Sequence, residues 1–153
     1  MIWEIDWTWG LVTLFICVVM HVTGLVFLRR IVVFPLITTL RAQSAIFSIS
    51  VFSFLALWAV LLHSLEAAIW AIMYMRLGVL PDFASAYLHS LGAFSTYGNS
   101  GFDFIEKWRL LSQIEAMNGI VAFGLTTAFL YAAAHLMHKK GEETEADYMS
   151  EGR

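Results

Sequence analysis

Residues 90–101 read Ser-Leu-Gly-Ala-Phe-Ser-Thr-Tyr-Gly-Asn-Ser-Gly and lie between two long apolar segments. The stretch is too polar and too broken by glycine to cross lipid as a helix. Irregular backbone survives at membrane depth only where protein buries it or water wets it. Carbonyls lining a wet space can replace the hydration shell of an ion, which is how selectivity filters are built. The stretch is therefore expected to line an ion path.

Composition agrees with a membrane setting. Of the 153 residues, 59% are hydrophobic and 14% charged, whereas a soluble domain is about half apolar and about a quarter charged. The net charge of -3 gathers only at the C-terminus and leaves no basic patch for nucleic acid. The single cysteine, Cys17, lies in an apolar helix and offers neither a disulfide framework nor a thiolate metal site. The acidic start, with Glu4 and Asp6, lacks the basic region of a cleaved signal peptide, so the first hydrophobic segment is expected to be retained.

Outward from the glycine-bearing stretch, three spans are expected. The first covers 9–28 with no Asp, Glu, Lys or Arg, long enough to cross the hydrocarbon. Arg29, Arg30 and Arg41 then place the next loop in the cytoplasm and the N-terminus outside, with Trp3, Trp7 and Trp9 at the outer headgroup belt. Residues 31–40 carry Pro35 and read as a broken, interfacial connector. The second span, 45–75, holds Glu66 as its only formal charge before Arg76 and is long enough to tilt. Gly78 reads as its stop, with Pro81 and Asp82 opening a short helix over 83–94. The third span, 114–137, ends before Lys139 and Lys140, which place the C-terminus inside. The acidic tail 141–153 is expected to be disordered.

This divides the chain into an N-terminal helix and cytoplasmic connector (1–42), a pore domain (43–138) and a short acidic cytoplasmic tail (139–153). There is no internal repeat. One half-membrane hairpin cannot enclose a pore, so several chains must surround it.

Several motifs fall in one order across 62–133: His63-x-x-Glu66-x-x-x-Trp70-Ala71, Trp108-Arg109-Leu110-Leu111, Glu115-Ala116-x-Asn118-Gly119 and Gly119-Ile120-x-x-Phe123-Gly124-Leu125-x-Thr127-Ala128. Together they resemble the pore domain of tetrameric potassium-channel-like proteins, in particular small bacterial members with an added N-terminal helix. The resemblance implies an all-α membrane protein of three transmembrane helices with a re-entrant pore helix and filter loop, assembled as a homotetramer in a bacterial inner membrane. It implies permeant monovalent cations, potassium and sodium, as ligands, with no resident cofactor, and the lipid bilayer and other copies of the chain as partners. By the same resemblance, Phe94 and Ser95 are expected to support the filter, and Thr96, Tyr97, Gly98, Asn99, Ser100 and Gly101 to form it.

The filter departs from the family. Against its Thr-Val-Gly-Tyr-Gly-Asp, only Thr96 and Gly98 match. A filter aims successive carbonyls at one axis through alternating backbone handedness, which glycine adopts readily. Gly98 retains that freedom, whereas Ser100 stands where a second glycine belongs. Thr96 and Tyr97 are thus expected to hold a dehydrated cation below a wider, wetter mouth lined by Asn99 and Ser100. The expectation is weak discrimination between sodium and potassium. A second echo, Asn99-Ser100-Gly101-Phe102-Asp103, resembles the filter of bacterial potassium-uptake transporters, which carry four such hairpins in one chain.

Other residues admit paired readings. Gly119 and Gly124 are gating hinges by the resemblance, or small residues that let membrane helices approach. Glu66 is an ionisable group at membrane depth, which marks function or a buried partner. His63 lies on its face and makes metal binding one reading, against a structural hydrogen bond from His63, His89 or the short helix. The sequence favours the hydrogen bond and expects no metal beyond permeant cations. Glu115 reads as a carboxylate at a helix N-terminus, favoured by the dipole. Asp103 and Glu106 concentrate cations at the entrance or are offset by Lys107 and Arg109.

Two rival functions stand beside the channel. His21, His63, His89 and His135 admit bis-histidine haem ligation in an electron carrier. The altered filter admits a non-conducting or regulatory subunit. No serine, histidine and acid arrangement, phosphate loop or carboxylate pair stands out, so no enzyme is expected.

Overall fold

The computed structural model describes residues 2–35, 45–95, 97 and 108–151. Four α-helices account for nearly all of them: α1 Ile2–Leu28, α2 Ala45–Arg76, α3 Phe83–Phe94 and α4 Arg109–Glu151. No strand occurs among the described residues. Asp6–Val33, Ile46–Arg76 and Arg109–Glu143 are each long and apolar enough to cross a membrane. In lipid a helix succeeds because every backbone group closes within the segment.

The expected break at 31–40 does not begin where the sequence placed it. Helical backbone continues beyond Leu28 as a π-helical stretch, Arg29–Val33, in which the Phe34 N–H reaches back to the Arg29 carbonyl. Pro35 follows. Its ring cannot donate and crowds the carbonyl four residues earlier, and the wider π ladder relieves that crowding one turn ahead of it.

Side-chain pairings set the helix directions. Gly24 of α1 faces Leu62 of α2, and His21 meets Glu66, so α1 and α2 run antiparallel. Gly10 faces Ile114 of α4, and His21 reaches Thr126, so α1 and α4 run parallel. Leu28, Val33, Val51, Leu55, Ala133 and Met137 pack at one end of the bundle. Cys17, Trp70, Tyr74, Phe94, Leu111 and Ile114 pack toward the other.

The bundle is apolar outside and polar at points within. Phe15, Leu57 and Ile120 are more than half exposed, whereas His21, Glu66, Glu115 and Asn118 are buried at 0% exposure. That inverts the pattern of a water-soluble domain and fits helices surrounded by lipid or by other apolar helices.

Gly78 ends α2 as the sequence reading expects. It holds φ +66, where a side chain would strain the backbone. The Gly78 N–H bonds the Met75 carbonyl and the Val79 N–H bonds the Tyr74 carbonyl, at 3.0 and 2.9 Å, a Schellman closure. Asp82 then caps α3, accepting from the Ser85 N–H at 2.9 Å and the Ser85 hydroxyl at 2.8 Å. Those two donors hold its carboxyl below the ordinary aspartate range.

α3 starts beside the end of α2 and finishes alongside the middle of both neighbours. The His89 ring lies 5.3 Å from that of Tyr74, and the Phe94 ring 5.7 Å from that of His63. The C-terminal tail, expected to be disordered, is helical as far as Glu151. Propagating an existing helix needs no new nucleus, and pairs such as Lys140–Glu143 at 3.2 Å and His138–Glu142 at 3.3 Å support the added turns.

Candidate functional site

Sequence reasoning put the site at the glycine-bearing stretch. Thr96, Gly98, Asn99, Ser100 and Gly101, with Asp103 and Glu106, lie outside the described residues. Tyr97 is exposed. Phe94 is buried, and Ser95 closes α3 with its N–H on the Leu91 carbonyl at 3.0 Å.

Gly119 meets the end of α3 directly. A Cβ built on it would overlap the Phe94 carbonyl, carbon and Cα, so only glycine lets the α3 backbone come so near α4. Gly124 is different, with no atom within 4 Å of a Cβ built there. Of the two glycines, Gly119 has a packing role in the single chain.

Just below that contact lies a polar cluster built from three helices. Glu66 of α2 accepts a hydrogen bond on Oε1 from His21 Nδ1 of α1 at 2.8 Å. His21 Nε2 lies 3.1 Å from the Thr126 hydroxyl of α4, and the same hydroxyl lies 3.3 Å from His63 Nε2. His63 is one turn before Glu66, so its ring shares that face of α2. Its Nδ1 stands 3.8 Å from Glu66 Oε2. The His63 ring stacks on Phe123 at 4.5 Å between centroids.

Sequence reasoning sought the Glu66 partner in His63, His89 or the short helix. The partner at hydrogen-bond distance is His21, on the first span. The only sequence signal for it was the similar depth of His21 and His63, used there for the haem reading. Their rings are 5.2 Å apart at 36°, and both nitrogens of His21 are engaged, so this geometry gives that reading no support.

A second cluster lies nearer the α3 start. Tyr74 donates its hydroxyl proton to Glu115 Oε2 at 2.7 Å, and His89 Nε2 stands 3.9 Å from that oxygen and 3.3 Å from the Ser112 hydroxyl. Glu115 is fully buried, and α4 begins at Arg109. It is therefore well inside the helix, and its partner is a side chain of α2 in place of the helix dipole the sequence reading assigned to it.

No protein family, curated protein or solved structure matches the chain.

Proposed function

We propose that the chain is a subunit of a homotetrameric cation channel of potassium-channel-like architecture, weakly selective among monovalent cations. One observation carries the reading: α3 ends at Phe94 against His63 and Gly119, midway along two helices long enough to span a bilayer. A helix that stops at mid-depth aims the carbonyl end of its dipole there and favours a cation. The polar residues 95–101 follow from that point. Trp108 packs in the same cluster as Tyr74 and Leu80, near the level at which α3 begins. A hairpin that dips and returns would join those two points, and four copies around an axis would bring four filter stretches together.

Arg29, Lys139 and Lys140 line one cavity of about 260 Å³ at the opposite end of the bundle. Basic residues gathered there favour that end as cytoplasmic, with the N-terminus outside.

Ion flux from proteoliposomes in sodium, potassium, rubidium and calcium tests the proposal, with Gly98→Ala as the control. Flux of the monovalent ions with little preference among them, lost in the control, is the expected result. Silence toward every ion from an intact tetramer would mark a non-conducting subunit and end the channel reading, and strong potassium preference would end the selectivity claim.

A further inference from the structure

We infer that His21, His63 and Glu66 form a buried site for one divalent transition-metal ion of the zinc class, independent of the pore reading. The three residues offer one ligand atom each within 4.8 Å of one another, from two helices that the bundle brings together.

With Glu66 ionised and both imidazoles neutral, the hydrogen bonds leave the cluster incomplete by itself. An ionised Glu66 at 2.8 Å requires the proton on His21 Nδ1. A neutral His21 then has a bare Nε2, which takes the Thr126 hydroxyl proton at 3.1 Å. Thr126 Oγ1 in turn accepts from His63 Nε2 at 3.3 Å. The chain of bonds ends with two facing acceptors, His63 Nδ1 and Glu66 Oε2, 3.8 Å apart. Both atoms are buried and neither has a hydrogen-bond partner in the protein. Two opposed lone pairs out of contact with water are unfavourable unless something positive lies between them.

The spacings suit a metal ion. Zinc binds imidazole nitrogen and carboxylate oxygen at about 2.0–2.2 Å, so neighbouring ligand atoms of a tetrahedral ion sit about 3.3 Å apart. The nitrogen–oxygen separations of 2.8 Å and 3.8 Å on the two sides of the Glu66 carboxylate bracket that value. On binding, the single His21 ring proton moves from Nδ1 to Nε2 with no net loss, the Thr126 hydroxyl proton turns away from that nitrogen, and both imidazoles bind through Nδ1. Both Nε2–H groups then donate to Thr126 Oγ1, whose two lone pairs accept them. A hydroxyl that orients two metal-bound imidazoles in this way sets their tautomers and raises their basicity. Two imidazoles with one carboxylate select borderline ions such as zinc, cobalt and nickel over magnesium and calcium, which prefer all-oxygen sites.

The test is zinc and cobalt binding to the purified full chain in detergent after treatment with a chelator. Bound metal is counted after desalting, and the visible spectrum of the cobalt form reports coordination. One zinc per chain and a tetrahedral cobalt spectrum are expected. His63→Gln and Glu66→Gln should each weaken zinc binding at least 100-fold. Thr126→Val retains every ligand and should weaken it about 10–100-fold. The double variant H135A/H138A, in histidines outside the cluster, should bind as the parent does. Size-exclusion elution and circular dichroism check that each variant is folded. Failure of the folded parent to retain zinc, or undiminished binding by both folded His63→Gln and Thr126→Val, overturns the site. Neither result bears on ion flux, so the two proposals fail separately.

Discussion

A side chain on Gly119 would occupy the space of the Phe94 carbonyl, so the end of α3 rests on bare backbone of α4. The obstacle is main chain, which cannot swing aside as a side-chain tip can. Gly24 offers the contrast: the nearest atoms to a Cβ there are the Cδ2, Cδ1 and Cγ of Leu62, at 2.6, 3.1 and 3.4 Å, all on one flexible side chain.

Gly119→Ala should therefore destabilise the folded chain by about 1–3 kcal/mol, the usual cost of overfilling a packed site. Gly124→Ala should change stability by no more than about 0.5 kcal/mol. Unfolding in mixed micelles, followed by tryptophan fluorescence, measures both. Equal losses at the two glycines would contradict the packing role.

His21 and Glu66 pair at 2.8 Å with both side chains fully buried. His21→Ala leaves a carboxylate without its donor and should cost about 3–5 kcal/mol. The double replacement H21L/E66M removes both polar groups and should cost less than His21→Ala alone. A double-mutant cycle by the same unfolding assay reads the coupling.

Tyr74→Phe removes the hydroxyl that donates to Glu115 at 2.7 Å inside the bundle and should cost about 1–3 kcal/mol. Ser64→Ala removes a hydroxyl contact with Tyr87 in a part-buried position, and its loss should be nearer 0.5–1.5 kcal/mol, taking about 1 kcal/mol as the mean for such bonds. The order of the two losses is what the unfolding midpoints must reproduce.

The Asp82 cap is a pH-dependent element. Its folded carboxyl titrates below the unfolded value, because the Ser85 N–H and hydroxyl favour the carboxylate. The cap's contribution is complete above the unfolded value of about 3.9 and falls away as pH drops through the lower folded value. Protection of the Ser85 amide from hydrogen exchange, relative to amides in the middle of α3, should hold at pH 5 and decline only in stronger acid. Asp82→Asn should flatten that dependence, and a decline beginning above pH 5 would contradict the assignment.

Much of the fold was legible in the chain. Long apolar runs with at most one charged residue each marked the three long helices, because a bilayer permits only segments that satisfy their own backbone. Gly78 and Asp82 marked a stop and a start for local reasons: a positive φ at one, a side chain short enough to cap at the other. The bounds 83–94 followed from these signals and from the glycine-rich sequence beyond. The tail was misread because its acidic composition resembles that of disordered segments, whereas its helix simply extends the one before it.

The candidate site was legible only in part. Glu66 and His63 share one helix face by spacing alone, and an ionisable residue amid apolar ones asks for a partner. The identity of that partner, 45 residues away on α1, was not available from spacing. The same holds for Glu115 and Tyr74, 41 residues apart, and for the choice between hinge and contact at Gly119.

By itself, then, the sequence determined which segments are long apolar helices, where two of them stop and start, and roughly how deep each polar group lies. These depend on neighbours along the chain and on the rise of 1.5 Å per residue. Only the tertiary structure decided which face of each helix turns inward and so which polar groups meet. Helices apolar on nearly every side carry little signal of their own rotation. That rotation is settled by close packing at Gly10, Gly24 and Gly119 and by the few hydrogen bonds that must close inside the bundle.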